Sequence, residues 1–351
     1  MEKFVCVRIV QGWGLDLALF QFDNELTWAV FLMNADKTIY GRYGTRSDHK
    51  DTTKDISMDG LKQAMEGALE LHKGYPANKK EFAGKVGAAP AWRTPEMIPE
   101  LAGKPNTKPA DGTRGGCIHC HQANDAAAWS LRRGGQPITD RVLWPFPMPD
   151  PLGFSLDSKE KATVTTVVAG SPAEKAGVKS GDKITRMEGQ PILSIADVQW
   201  VLHNAKEPGS VKLEVDRGGQ KSDVTVPLAV GWRHKDDFSW RVITWSMRHR
   251  LMGTEPLETL PADEKKKLGV AENGMAIRVK GFPPDWVKDK NKDASQKLQK
   301  GDVIVEADGK KNLATESEFL AYLMQKKSPG QAVDLLIVRG GKPQRVTLSI
   351  P

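Results

Sequence analysis

The residues whose types and spacing can do chemistry lie a third of the way along the chain, at Cys117-Ile118-His119-Cys120-His121. Two thiols with two residues between them, followed at once by an imidazole, form the pattern that attaches a c-type haem. Each thiol can bond one vinyl carbon of a porphyrin, and the adjacent histidine can place a ring nitrogen on the iron. Gly115 and Gly116 leave room for a bulky planar group, and a helix is expected over Ala123 to Leu131. The expected cofactor is therefore covalent haem c, held by Cys117, Cys120 and His121, with His121 as the proximal iron ligand. The same thiols also suit a zinc or other metal site, a dithiol, a disulfide or a plain structural pair; the adjacent His121 favours haem.

For the sixth iron position the nearest downstream thioether is Met148, since methionine is a common partner of histidine in electron-transfer cytochromes. The competing reading of Met148 is a loop methionine packed on Trp144. His119 is expected to point away from the iron, and iron with five ligands is a further alternative. His49 is remote, and His72 fits the C-terminus of a helix, where positive charge is favourable.

The surroundings must position these groups. A chain of 351 residues exceeds one ordinary core and implies two to four domains. With 39% hydrophobic and 27% charged residues the composition is that of a globular protein, and no apolar run is long enough for a transmembrane segment. The net charge of +7 is spread among acids. Its one compact basic run, Lys265-Lys266-Lys267, follows Asp263 and Glu264 as on a solvated helix face, so no nucleic-acid partner is expected. Cys6 stands in an apolar strand-like run and reads as a small buried residue. Covalent haem implies export, whereas Met1-Glu2-Lys3-Phe4 is no signal peptide. The expected location is periplasmic or otherwise exported, with the leader absent from the chain.

Phe4 to Val10, Thr27 to Met33 and Thr38 to Tyr43 read as strands, the last two joined through Asn34-Ala35-Asp36. Leu61, Ala64, Met65, Ala68, Leu69 and Leu71 recur at helical spacing, with Ser57 as N-cap and Gly74 and Pro76 as the stop. With Phe20-Gln21-Phe22-Asp23 and Tyr40-Gly41-Arg42-Tyr43-Gly44, this order resembles the later part of a thioredoxin-like fold. No Cys-x-x-Cys precedes the first strand, and Leu26 stands where that family places a cis-proline, so the resemblance implies a scaffold without thiol activity. Residues 76 to about 115 read as a long connection. Asp125 to Arg133 reads as a helix, and Trp144-Pro145-Phe146-Pro147-Met148-Pro149 as a stiff, extended segment.

From Pro151 the pattern changes. Leu152 to Leu156 and Thr163 to Val168 read as strands, followed by Gly170-Ser171-Pro172-Ala173-Glu174-Lys175-Ala176-Gly177-Val178 and Gly181-Asp182-Lys183-Ile184. Ser194 caps a helix carrying Val198, Val201 and Leu202, with Asp197 in a capping-box-like place. Val211 to Val215 and Val224 to Leu228 close the unit around Arg217-Gly218-Gly219. This succession resembles a PDZ domain, above all those of bacterial periplasmic proteases. The resemblance implies a partner: a protein or peptide C-terminus added as a strand to an open sheet edge beside a helix. It places the carboxylate loop at Leu152, Gly153, Phe154 and Ser155, and Val198 on the groove side of the helix. A PDZ fold used only for packing between domains is the alternative.

The pattern then repeats. Gly301-Asp302-Val303-Ile304 matches Gly181-Asp182-Lys183-Ile184, Asp308-Gly309-Lys310 repeats the turn after it, Glu316 to Met324 the helix, and Arg339-Gly340-Gly341 echoes Arg217-Gly218-Gly219. Pro283 to Ala294 replaces the compact Gly-Ser-Pro-Ala segment, and Leu251-Met252-Gly253 is the expected second carboxylate loop. Between the copies, Trp232, Trp240, Trp245 and Phe238 suggest a buried inter-domain wedge, with a ligand-stacking surface as the alternative.

The expected fold class is α+β multidomain: a partial thioredoxin-like domain (1–80), an irregular connector with the haem motif (81–150), a PDZ-like β-sandwich or barrel (151–230), a Trp-rich segment (231–249) and a second PDZ-like domain (250–351). No Gly-x-Ser-x-Gly motif appears, and the region ahead of the first PDZ-like unit is too short for a protease domain, so no catalytic residues are expected. The expected function is an exported haem protein that docks through its PDZ-like pair for electron transfer or redox sensing. The alternative is a non-enzymatic PDZ scaffold whose Cys-x-x-Cys-His binds a metal or forms a disulfide.

Overall fold

The computed structural model describes residues 2–26, 28–48, 50–51, 53–102 and 118–351. Cys117, Gly115, Gly116, His49 and Thr27 lie outside the described residues. The chain divides into two units, Met1–Ala123 with Trp144–Asp236, and Asn124–Leu143 with Asp237–Pro351.

In the first unit, β-branched and aromatic residues form an antiparallel hairpin of β1 (Val30–Met33) and β2 (Ile39–Tyr43). The helix α1 (Met58–Lys73) follows; the Ser57 hydroxyl accepts from the Gly60 amide, and the chain leaves the helix at Gly74. Leu32, Tyr40, Tyr43, Ala64, Ala68 and Phe82 share one core with Leu193, which comes from the later PDZ-like region. The N-terminal residues thus complete their core with a side chain from beyond residue 150. Beyond a hairpin and a helix, the described residues give the thioredoxin-like expectation no support. Phe4 to Val10 is not a strand: no strand among the described residues pairs with it, Val5 is 95% exposed, and Cys6 is exposed rather than buried. An apolar run becomes a strand only where a ladder partner takes its backbone groups.

Two helices follow, α2 (Cys120–Arg133) and α3 (Asp140–Leu143). The proline-rich segment after them is not simply extended. Phe146 stands at φ 48°, in the left-handed region that a bulky side chain rarely occupies, and its ring is buried.

The first PDZ-like domain begins with a single 3-10 turn, Asp150–Leu152, ended by Gly153 at φ 91°. Strand β3 (Phe154–Leu156) pairs with β4 (Val164–Val167). Helix α4 (Pro172–Ala176) is capped by Ser171. Then come β5 (Lys183–Met187), β6 (Gln190–Pro191), α5 (Ile195–Asn204), β7 (Gly209–Arg217) and β8 (Gln220–Leu228), in the sheet order β6-β5-β7-β8. Alternation on β7 turns Val211, Leu213 and Val215 inward, where they join Leu152, Phe154, Val198, Leu202 and Trp232 in the core.

The second unit carries α6 (Ile243–Met247), a π turn at Arg248–Met252, β9 (Leu257–Thr259), α7 (Ala262–Lys267), β10 (Ile277–Val279), α8 (Lys292–Lys297), β11 (Val303–Ala307), α9 (Glu316–Lys326), β12 (Ala332–Arg339) and β13 (Lys342–Ser349). They form one antiparallel sheet, β13-β12-β11-β10-β9. The tryptophan-rich stretch is not one wedge. Trp232 fills the core of the first domain, the chain divides after Asp236, Phe238 is buried within the second unit, and Trp245 is 43% exposed.

The repeat holds at the level of single atoms. The Arg217 guanidinium donates to both oxygens of Asp182, at 2.6 and 2.8 Å, and to the Gly177 carbonyl. Arg339 does the same to Asp302, at 2.8 and 2.7 Å, and to the Lys297 carbonyl. Each aspartate also accepts the backbone amide three residues before it, from Lys179 and from Gln299. Loop glycines repeat as well. A Cβ on Gly153 would lie 2.1 Å from the Cβ of Ser171, the N-cap of α4. One on Gly253, at φ 58°, would lie 2.2 Å from the carbonyl oxygen of Asn291, the N-cap of α8. Helix α8 thus replaces α4, which is how Pro283 to Ala294 substitutes for Gly-Ser-Pro-Ala.

Two outcomes are expected. Gly153→Ala combines a left-handed backbone with a direct overlap and should destabilise the first domain by about 2–4 kcal/mol in urea unfolding. Burial pushes the Asp182 carboxyl up, but Arg217 and the Lys179 amide outweigh it and hold it below the usual carboxylate value. Its contribution is therefore complete above the unfolded value of about 3.9 and disappears as pH falls through the folded one. Asp182→Asn should cost about 2 kcal/mol at pH 7, and the deficit relative to wild type should shrink on acidification.

Candidate functional site

Of the groups expected around the haem motif, the described residues include Cys120, His121 and Met148. Cys117 is outside the described residues. Cys120 is the first residue of α2, half-buried, and burial pushes its thiol up, away from the thiolate that metal ligation and redox chemistry use. Burial, then the neighbouring His119, pushes the His121 imidazole down, and the two rings lie parallel at 5.5 Å. The buried Met148 sulfur lies 3.6 Å from the Thr45 hydroxyl, whose proton goes to Gln199, so this thioether packs as a loop methionine against Thr45. His72 Nδ1 lies 2.7 Å from the Tyr40 hydroxyl. Among the described residues no group of three histidine, cysteine or acidic side chains is placed to hold a metal ion.

The other candidate site is built from β3, the loop before it and α5. Leu152 and Phe154 are buried in the core, Gly153 makes the turn, and the Ser155 hydroxyl donates to Asp150 at 2.8 Å. On one edge β3 pairs with β4; its other edge has no strand partner among the described residues. The helix α5 turns Val198, Val201 and Leu202 into the core, so Val198 lies wholly inside the domain.

The remaining faces of α5 are covered by the N-terminal residues and by the proline-rich segment. On the side toward β6, the Lys85 ammonium lies 2.7 Å from Asp197, both side chains fully buried, and donates to the Pro191 carbonyl at 2.6 Å. Asp197 also accepts the amides of Arg42 and Leu193. Burial pushes the Lys85 ammonium down, with Asp197 opposing. The Arg42 guanidinium stacks 3.9 Å from the Trp200 ring, and burial lowers it to about 10, with Asp197 opposing. The Trp200 ring nitrogen donates to the Gly84 carbonyl. On the other side, Thr45 donates to Gln199, Gln199 donates to the Phe146 carbonyl at 2.8 Å, and the Phe146 ring stacks on His203 with centroids 4.2 Å apart. Tyr43, Gly44 and Thr45 share one small cavity with Ser158, Glu160 and Ala196.

The second copy has the same parts. Leu251 and Met252 are buried ahead of Gly253, β9 is an edge strand, and α9 begins at a fully satisfied capping box on Thr315. Glu316 pairs with Arg248 inside the unit; burial pushes its carboxyl up and Arg248 opposes this. The motif-by-motif reading missed Lys85, Arg42, Thr45 and Gln199. Each sits in an ordinary local sequence and gains its role from a partner more than forty positions away.

Over residues 151–228 and 272–350 the sequence matches the PDZ domain family. The probable periplasmic serine endoprotease DegP-like of Marinomonas sp. (strain MWYL1) is 30% identical over 198 residues, 56% of this chain and 39% of that protein. The periplasmic pH-dependent serine endoprotease DegQ of Escherichia coli (strain K12) is 39% identical over 75 residues, 21% of this chain and 16% of that protein. Among solved structures, the HtrA-type protease AlgW with decapeptide is similar at 17% identity, covering 39% of this chain and 40% of that one with a TM-score of 0.22. The chain spans about two fifths of the length of its DegP-like relatives. These relatives are serine endoproteases, which overturns both functions expected from the Cys-x-x-Cys-His motif, the haem protein for electron transfer or redox sensing and the metal- or disulfide-bearing scaffold. Behind the N-terminal residues, the chain carries two tandem PDZ domains resembling those of DegP-like periplasmic proteases.

Proposed function

We propose that the chain recognises extended peptides and protein carboxyl termini in a periplasmic or otherwise exported setting, as the substrate-reading part of a protein-hydrolysis system. The observation that carries this reading is the strand β3, whose outer edge has no ladder partner among the described residues; it shares a core with α5 and comes directly after the glycine turn at Gly153. An incoming strand takes its backbone hydrogen bonds from such an edge, and alternate side chains settle against the helix. The Leu152 and Gly153 amides donate to Pro149 and Asp150 within the turn, so the terminal carboxylate would be held where the chain turns at Gly153 into Phe154, because a glycine permits close backbone approach. Val198 supports the helix from inside. The edge strand β9 after Gly253 offers the same geometry a second time. The names of the DegP-like and DegQ relatives support both the setting and the link to hydrolysis.

Fluorescence anisotropy with labelled decapeptides ending in alanine, valine, leucine or phenylalanine tests the reading. Peptides with a free terminal carboxylate should bind at least about tenfold more tightly than the same peptides amidated, a difference of about 1.4 kcal/mol. Equal binding of both forms would remove the carboxylate loop, and absence of binding by all of them would remove the peptide-reading function.

A further inference from the structure

The helix of the first PDZ domain has a resident neighbour. One side of α5 carries Ala196, Gln199 and His203, at the i, i+3 and i+7 spacing that puts residues on one side of a helix. Phe146 occupies that flank. Its amide donates to His203 Nδ1 at 3.2 Å, its carbonyl accepts from Gln199 at 2.8 Å, and its ring lies flat on the His203 imidazole and packs with the Leu152 and Phe154 core. Both backbone polar groups of one residue are thus held by side chains of the helix. Met148 and Thr45 extend the cover toward the start of the helix, and Tyr43 to Thr45 close the space between Ala196 and Ser158. The segment is anchored upstream by Trp144, which stacks on His234 and donates to the Asp236 carbonyl.

Two further observations set this apart from ordinary packing. Phe146 has a φ of 48°, an unfavourable conformation for an aromatic residue, of the kind found at clamps and switches. The second domain has a partial counterpart. Counting from the helix caps Ser194 and Thr315, Ser317 of α9 takes the place of Ala196. Its hydroxyl accepts the amide of Phe238, a wholly buried phenylalanine that, like Phe146, comes from the chain preceding the loop glycine.

We infer that Phe146 is the resident occupant of the first PDZ groove, an intramolecular ligand that an incoming peptide must displace along the β3 edge. The inference rests on the peptide-reading function proposed above and concerns its regulation. Apparent affinity for peptide is then the intrinsic affinity multiplied by the fraction of molecules in which the segment has left the groove.

The test uses the full chain and a fluorescein-labelled peptide of its own sequence, Arg141 to Phe146, with a free terminal carboxylate. A benzophenone group in the peptide reports by cross-linking which domain is occupied. Phe146→Ala should bind the peptide at least about tenfold more tightly than wild type, with the added cross-links on Ile195–Asn204. Phe146→Leu, which keeps a bulky apolar occupant, should fall between the two and shows that the gain follows the ring rather than loss of fold. Unchanged affinity in both variants, with measurable binding by wild type, would overturn self-occupation and leave the peptide-reading function standing. Absence of binding by wild type and both variants would overturn the two together.

Discussion

A buried ion pair, Lys85 with Asp197, holds the N-terminal residues on the helix α5. Taking both charges out of water costs several kcal/mol per ion, and only close geometry with further hydrogen bonds offsets it. Here the Pro191 carbonyl completes the ammonium, and the Arg42 and Leu193 amides complete the carboxylate. Removing one partner would strand the other in a dry interior. The pair therefore acts as a register device: it fixes Gly84 under Trp200 and Arg42 over its ring, which brings the end of β2 along the helix and sets Thr45 on Gln199.

The two PDZ domains share a frame and differ in what surrounds it. The paired forks, Arg217 on Asp182 and Arg339 on Asp302, close the same loop against the same strand in both copies. In each, a left-handed glycine sits against the N-cap of the following helix. On this frame the first helix carries Ala196, Gln199 and His203 toward its occupant, and the second carries Ser317. The side chains that meet a buried phenylalanine therefore differ between the copies, Gln199 and His203 in the first and Ser317 in the second.

The PDZ architecture was legible in the sequence because its demands are local. Gly153, Gly177 and Gly181 stand at positive φ, Ser171 and Ser194 cap helices, and Asp182 answers Arg217 at a spacing that Asp302 and Arg339 nearly repeat. The N-terminal region was legible only as a hairpin and a helix, since its core depends on Leu193 from far along the chain. Phe4 to Val10 has strand-forming residues, yet a strand needs a neighbour that composition does not reveal. The function read from the Cys-x-x-Cys-His motif is overturned by the endoprotease relatives, a link that five adjacent residues do not carry. Phe146 lay in plain view within a proline-rich run, but its partners Gln199 and His203 come more than fifty residues later.

Amide hydrogen exchange of the intact protein without added peptide, resolved to single residues by NMR, tests self-occupation most directly. A groove filled by its own chain predicts slow exchange at the Phe146 amide, as slow as that of amides in the core strand β7, because this N–H is buried against His203. Exchange at Phe146 as fast as in the exposed segment before residue 11 would mean that the segment does not occupy the groove in solution, and would contradict the account.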